Sequence, residues 1–172
     1  VTEISLTVFY GCTSLKSITM PNSITRIGDS AFRDCTSLAS IDIPNAVTKI
    51  RIRAFGGCTS LANIVIPDSV KEMEAGAFGD CTNLENVVIG NSIDKIDRGT
   101  FEYCTNLNSV TIGSSVTIIR ENALRGCSGM KDFAITESVT EIEESAFSGC
   151  TGLTNICIPA SVTKMGKRIF YE

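Results

Sequence analysis

Seven of the eight cysteines, Cys12, Cys35, Cys58, Cys81, Cys104, Cys127 and Cys150, recur at a spacing of 23 residues through the whole chain. Thiols in a column can ligate a metal, cross-link, or act as nucleophiles. Metal binding needs ligands that converge, usually in close pairs; here no two column cysteines are closer than 23 residues and there is no histidine, which argues against a metal. The absence of histidine also removes Ser-His and Cys-His dyads. Disulfides are harder to dismiss, because stacked strands at about 4.8 Å bring α-carbons within bridging range. In-register stacking, however, makes neighbouring Cβ vectors parallel and gives each thiol two equivalent neighbours. Cysteine also packs readily as a small hydrophobe, so the column reads as a ladder of reduced, buried thiols. Cys157 lies outside it, with no basic residue or histidine set beside it to lower its pKa.

Other residues able to do chemistry are sparse. Glu141, Glu143 and Glu144 cluster on the solvent side of Val139 and Ile142, a solvated edge with no pocket to raise a carboxyl pKa. No glycine-rich phosphate loop is present. Thr25, Thr48, Thr117, Thr140 and Thr163 form a column like the flat arrays of ice-binding solenoids, but Lys71 and Asp94 interrupt it and charged residues flank it. Threonine also suits an exposed short strand on its own account. The net charge of −4, with both signs interspersed, gives no basic footprint for nucleic acid, and no apolar run approaches the length of a membrane span. The chain reads as non-enzymatic, with no cofactor and no metal.

The elements that position these residues follow the same clock. Phenylalanine falls at Phe9, Phe32, Phe55, Phe78, Phe101, Phe147 and Phe170, with Leu124 breaking the column; leucine follows most cysteines three residues later, as at Leu15, Leu38 and Leu61. A fixed period of this length marks a solenoid of stacked coils. Within one coil, Ser17-Ile18-Thr19-Met20 alternates as a short strand and Pro21 stops it. Asn22-Ser23 turns the chain. Ile24 and Ile27 point inward around a second extended stretch, and Ser30-Ala31-Phe32-Arg33-Asp34 reads as one turn of 3₁₀ or α-helix. Cys35 closes the coil from inside. Successive strands are expected to form one parallel sheet along a side. In the irregular coil, Phe133 is expected to reach toward Leu124 and fill the volume the missing ring leaves.

The combined signature, clearest in Leu38-Ala-Ser-Ile41-Asp-Ile43-Pro44-Asn-Ala-Val47-Thr48-Lys-Ile50 and Ala54-Phe55-Gly-Gly-Cys58-Thr59, resembles the BspA-like, or Treponema-type, leucine-rich repeat. The resemblance covers the whole chain. It implies a right-handed solenoid of seven 23-residue repeats, with a parallel β-sheet on the concave side and short strands and 3₁₀ or helical turns elsewhere. It further implies an extracellular or cell-surface protein engaged in adhesion or protein binding, with no catalytic residues to carry over.

Residues 1–172 form a single solenoid, and Val1-Thr2-Glu3-Ile4 aligns with Ile24-Thr25-Arg26-Ile27, which points to an excerpt of a longer array. The candidate partner-binding face is the set of outward strand positions, in two columns. One holds Ser17, Ser40, Asn63, Asn86, Ser109, Asp132 and Asn155; the other holds Thr19, Asp42, Val65, Val88, Thr111, Ala134 and Cys157. These positions are free of core constraint, and Val65 and Val88 are apolar where solvent is expected. The expected partner is a protein or a glycan; nucleic acid is not expected, nor is membrane insertion by this segment. The rival reading is a structural spacer or assembly scaffold that docks on flanking domains or other chains through its open ends.

Overall fold

A computed structural model describes residues 1–171. The chain winds as a β-solenoid, and the thirteen short strands among the described residues fall on two sides. One flank carries two-residue strands: β1 (Glu3–Ile4), β2 (Arg26–Ile27), β3 (Lys49–Ile50), β5 (Glu72–Met73), β7 (Lys95–Ile96), β9 (Ile118–Ile119), β11 (Glu141–Ile142) and β13 (Lys164–Met165). The second side carries β4 (Asn63–Ile66), β6 (Asn86–Ile89), β8 (Ser109–Thr111), β10 (Asp132–Ala134) and β12 (Asn155–Cys157). Every recorded pairing is parallel and joins residues 23 apart, so the sequence period is the stacking register.

The second side is not one continuous sheet. Strands β4, β6 and β8 form one ladder and β10 and β12 another, while residues 17–20 and 40–43 are not in ladders at all. Proline contributes to this. Gly90 donates its N–H to the Ile66 carbonyl (2.9 Å), extending the ladder beyond β6. Pro67 and Pro44 occupy the same register position one and two coils earlier and have no N–H to give.

The third side differs from the expected helical turn: no helix occurs among the described residues. Instead the backbone N–H groups alternate. Ala31, Arg33 and Cys35 bond the carbonyl three residues back, at Gly28, Ser30 and Phe32 (3.1–3.2 Å), while Ser30, Phe32 and Asp34 donate to Ile52, Ala54 and Gly56 of the next coil (2.8–2.9 Å). A helix would turn all these donors inward along its own axis; the solenoid spends every second one on its neighbour. The geometry requires positive φ at two positions per coil, as at Ser30 (53°) and Asp34 (59°), the third residue of turns of the type II kind.

The core is the stack of inward columns. Phe9, Phe32, Phe55, Phe78 and Phe101 stack face to face at centroid separations of 5.0, 5.3, 5.1 and 5.8 Å. Where Leu124 interrupts them, Phe133 is buried, and its ring stands edge-on to Phe147 of its own coil at 5.0 Å. Phe147 is the aromatic that follows Leu124 in the column, so Phe133 packs on the phenylalanine column from the strand side. Six column cysteines, Cys35 to Cys150, are buried and free; Cys12 is free and exposed.

Candidate interaction face

The buried thiols of the column are committed to the fold, and their hydrogen bonds show how. Each buried thiol donates to the carbonyl of the aromatic column one coil back: Cys58 to Phe32 (3.1 Å), Cys81 to Phe55, Cys104 to Phe78 and Cys127 to Phe101 (each 3.2 Å). Desolvation pushes these thiols well above the ordinary range, and Cys150, similarly buried, up to about 12. They are protonated donors rather than nucleophiles. The threonine column is likewise committed: Thr25, Thr48, Thr117 and Thr140 donate their hydroxyls to the carbonyls of Thr2, Thr25, Asp94 and Thr117. Threonine after the column cysteine works the same way, Thr59 bonding the Thr36 carbonyl and Thr105 that of Thr82. These bonds tie coil to coil and leave no free hydroxyl array.

All fourteen outward strand positions named above are exposed, while their strand neighbours Ile41, Ile43, Ile64, Ile66, Val87, Ile89, Val110, Phe133 and Ile135 are buried. The period-two alternation therefore holds even on the stretches that lack ladder bonds. Backbone pairing places Asn63, Asn86 and Ser109 side by side, and Val65, Val88 and Thr111 beside them. It also joins Asp132 to Asn155 and Ala134 to Cys157. Asn86 Nδ2 donates to Asn63 Oδ1 (2.8 Å), the start of an amide ladder. Val65 is 62% exposed and Val88 43%, so two apolar side chains stand adjacent in solvent. Ser17, Thr19, Ser40 and Asp42 share the face but belong to its unbonded part. Between that part and β4 lies a groove of about 300 Å³ lined in part by Ser40, Asp42, Asn45, Val65 and Pro67.

Tyr103 and Arg125, on the turn side, were not singled out by the sequence reading. The Arg125 guanidinium lies 5.7 Å from the Tyr103 ring centroid and pairs with Glu102 at 3.6 Å. Tyr103 has φ +58° in a column otherwise held by Gly11, Asp34, Gly57, Asp80, Gly126 and Gly149, and its ring occupies the space a side chain at Gly126 would need. The signal was present in the sequence as an aromatic breaking a glycine and aspartate column. Among the described residues no cluster of side chains could hold a metal ion, and no helix is long and apolar enough to cross a membrane.

Comparison with known families and structures follows this geometry. The family described as BspA type leucine rich repeat region matches in six copies, over residues 2–131 and 119–172. The fold is similar to that of a leucine rich cell surface protein from Faecalibacterium prausnitzii A2-165, at 35% identity and a TM-score of 0.82 over 97% of this chain and 44% of that one. It is similar also to the T. pallidum leucine rich repeat protein, at 33% identity and a TM-score of 0.82 over 90% of this chain and 72% of that one. A leucine-rich repeat protein from Bacteroides ovatus, 23% identical with a TM-score of 0.58 over 99% of this chain and 68% of that one, shares the fold. The chain thus spans less than half the length of the F. prausnitzii protein. Comparison with curated proteins gives no match.

Proposed function

Because this chain belongs to the BspA-type leucine-rich repeat family, we propose that it is a non-enzymatic binding or adhesion module of the cell surface. It presents the outward face of β4, β6 and β8, with the positions continuing it, to a protein or glycan partner. The observation that carries this reading is the pair Val65 and Val88, adjacent in register and solvent-exposed beside the Asn63–Asn86 amide ladder. Apolar side chains next to hydrogen-bonded amides, on strands paired over four residues, suit recognition at low entropic cost. The F. prausnitzii relative, described as a cell surface protein, supports the location.

The test is capture on immobilised extracellular proteins and glycans by the intact chain and by a Val65→Asp/Val88→Asp variant. Both positions are exposed, so folding is preserved and circular dichroism checks it. Loss of a captured partner in the variant supports the reading. An unchanged set, also after all fourteen outward residues are exchanged, favours the spacer role.

A further inference from the structure

One joint of the two-residue-strand flank is built differently from the flank's others. Along the flank ladder, β1 pairs with β2, β2 with β3, β3 with β5, β7 with β9, β9 with β11 and β11 with β13, but β5 and β7 do not pair. Flanking bonds such as Thr48 N–H to Thr25 and Arg51 N–H to Ile27 recur at the next joint as Lys71 to Thr48 and Glu74 to Ile50, and beyond as Thr117 to Asp94 and Arg120 to Ile96. Among the described residues no such bond joins 94–97 to 71–74. An opening of about 620 Å³ lies there, lined by Lys71, Glu72, Met73, Glu74, Asp94, Lys95 and Asp97.

Three further observations fall at the same place. The Phe78–Phe101 separation, 5.8 Å, is the widest in the aromatic stack. The ion pairs turn away from the joint: Glu72 pairs back to Lys49, Glu74 back to Arg51, and Lys95 with Asp97 of its own coil. Thr100, the one buried polar residue among those described, stands in the column of Ala31, Ala54, Ala77, Ala123 and Ala146 and is larger than alanine there. The sequence explains the fault. Lys71 and Asp94 replace the threonines whose hydroxyls bond coil to coil elsewhere, and Glu74 and Asp97 set like charges one above the other. The other two sides stay closed: β4 and β6 pair over four residues, and Gly76, Phe78 and Asp80 donate to Arg98, Thr100 and Glu102 (2.7–2.9 Å).

We infer that the joint between the coils 61–83 and 84–106 is a built-in flexing point. The flank opens and closes there while the sheet side and the turn side remain bonded as the pivot. The motion changes the angle between the two halves of the array at one fixed place, between the two coils that carry Val65 and Val88. It is independent of which partner the face takes, and its test uses no partner. Hydrogen exchange on the intact chain, resolved to short peptides, reads it directly, since local opening sets exchange where no acceptor protects the amide. Amides in 94–97 should exchange about tenfold or more faster than those in the register-equivalent stretches 71–74 and 117–120. A Lys71→Thr/Asp94→Thr/Thr100→Ala variant should slow 94–97 toward its neighbours. Equal protection of the three stretches in the wild-type chain overturns the inference, and so does a folded variant whose 94–97 exchange is unchanged.

Discussion

At the Phe55 carbonyl two donors meet: the Cys58 N–H from the same turn and the Cys81 thiol from the next coil, each at 3.2 Å. This pairing explains why cysteine, rather than alanine or valine, recurs in step with phenylalanine. The residue must be small, apolar enough for the core, and still able to donate. Reactivity follows from it. On alkylation of the native chain, Cys12 and Cys157 should be modified quickly, and the six buried thiols only on unfolding, giving two adducts by intact mass at early times. Rapid modification of Cys81 or Cys104 would show that the column is not a closed core. The same thiols set an alkaline limit. Their folded pKa values are raised, so their contribution to stability is complete below the unfolded thiol range, near 8.5. It is lost as pH rises from there toward the folded values, at about 1.4 kcal/mol per pH unit for each thiol. Denaturant midpoints should therefore be flat from pH 6 to 8 and fall steeply by pH 10. A Cys81→Ala/Cys104→Ala variant should be weaker at pH 7 but show a shallower alkaline decline.

Each coil is three elements, and they were unequally legible. The outward–inward alternation was plain from residue type, and every outward position is exposed. The turn was misread as helical because Ser-Ala-Phe-Arg-Asp has nothing against a helix locally; what excludes one is the next coil, whose carbonyls claim alternate N–H groups. Only the recurrence of Gly, Asp, Ser and Asn at two fixed positions per coil carried that information, as a demand for positive φ. Where glycine replaces proline after the strands the reason is close approach. A side chain at Gly113 would run into the Gly90 carbonyl, so the two glycines let adjacent coils pack backbone to backbone. Gly113→Ala should accordingly destabilise by about 1–3 kcal/mol, as overpacking of a rigid contact does, measured by urea unfolding. A loss of only a few tenths would mean that the coils can separate there at little expense.

For the molecule as a whole, the fold was readable because one period governs every column, whereas the proposed interaction face was readable only as a location. Outward positions are defined by being free of the core's demands, so the pattern that fixes the core says nothing about their identities. The breaks in the ladders were hidden for a related reason: they depend on pairs of residues 23 apart, such as Glu74 above Asp97, rather than on either residue alone. A stack of this kind has nearest-neighbour energetics, and the phenylalanine column turns that into a measurement. Phe55 is fully buried between Phe32 and Phe78, while Phe9 is half-buried and stacks on Phe32 alone. Truncating Phe55 to alanine removes ring contacts on both sides and leaves a void that neither rigid coil can close, which should cost about 3–5 kcal/mol. Truncating Phe9 removes one contact at a site where water can enter, and should cost less than half as much. Urea titrations followed by circular dichroism would compare the two. Equal losses would show that the array unfolds as one cooperative block, with energy not apportioned joint by joint.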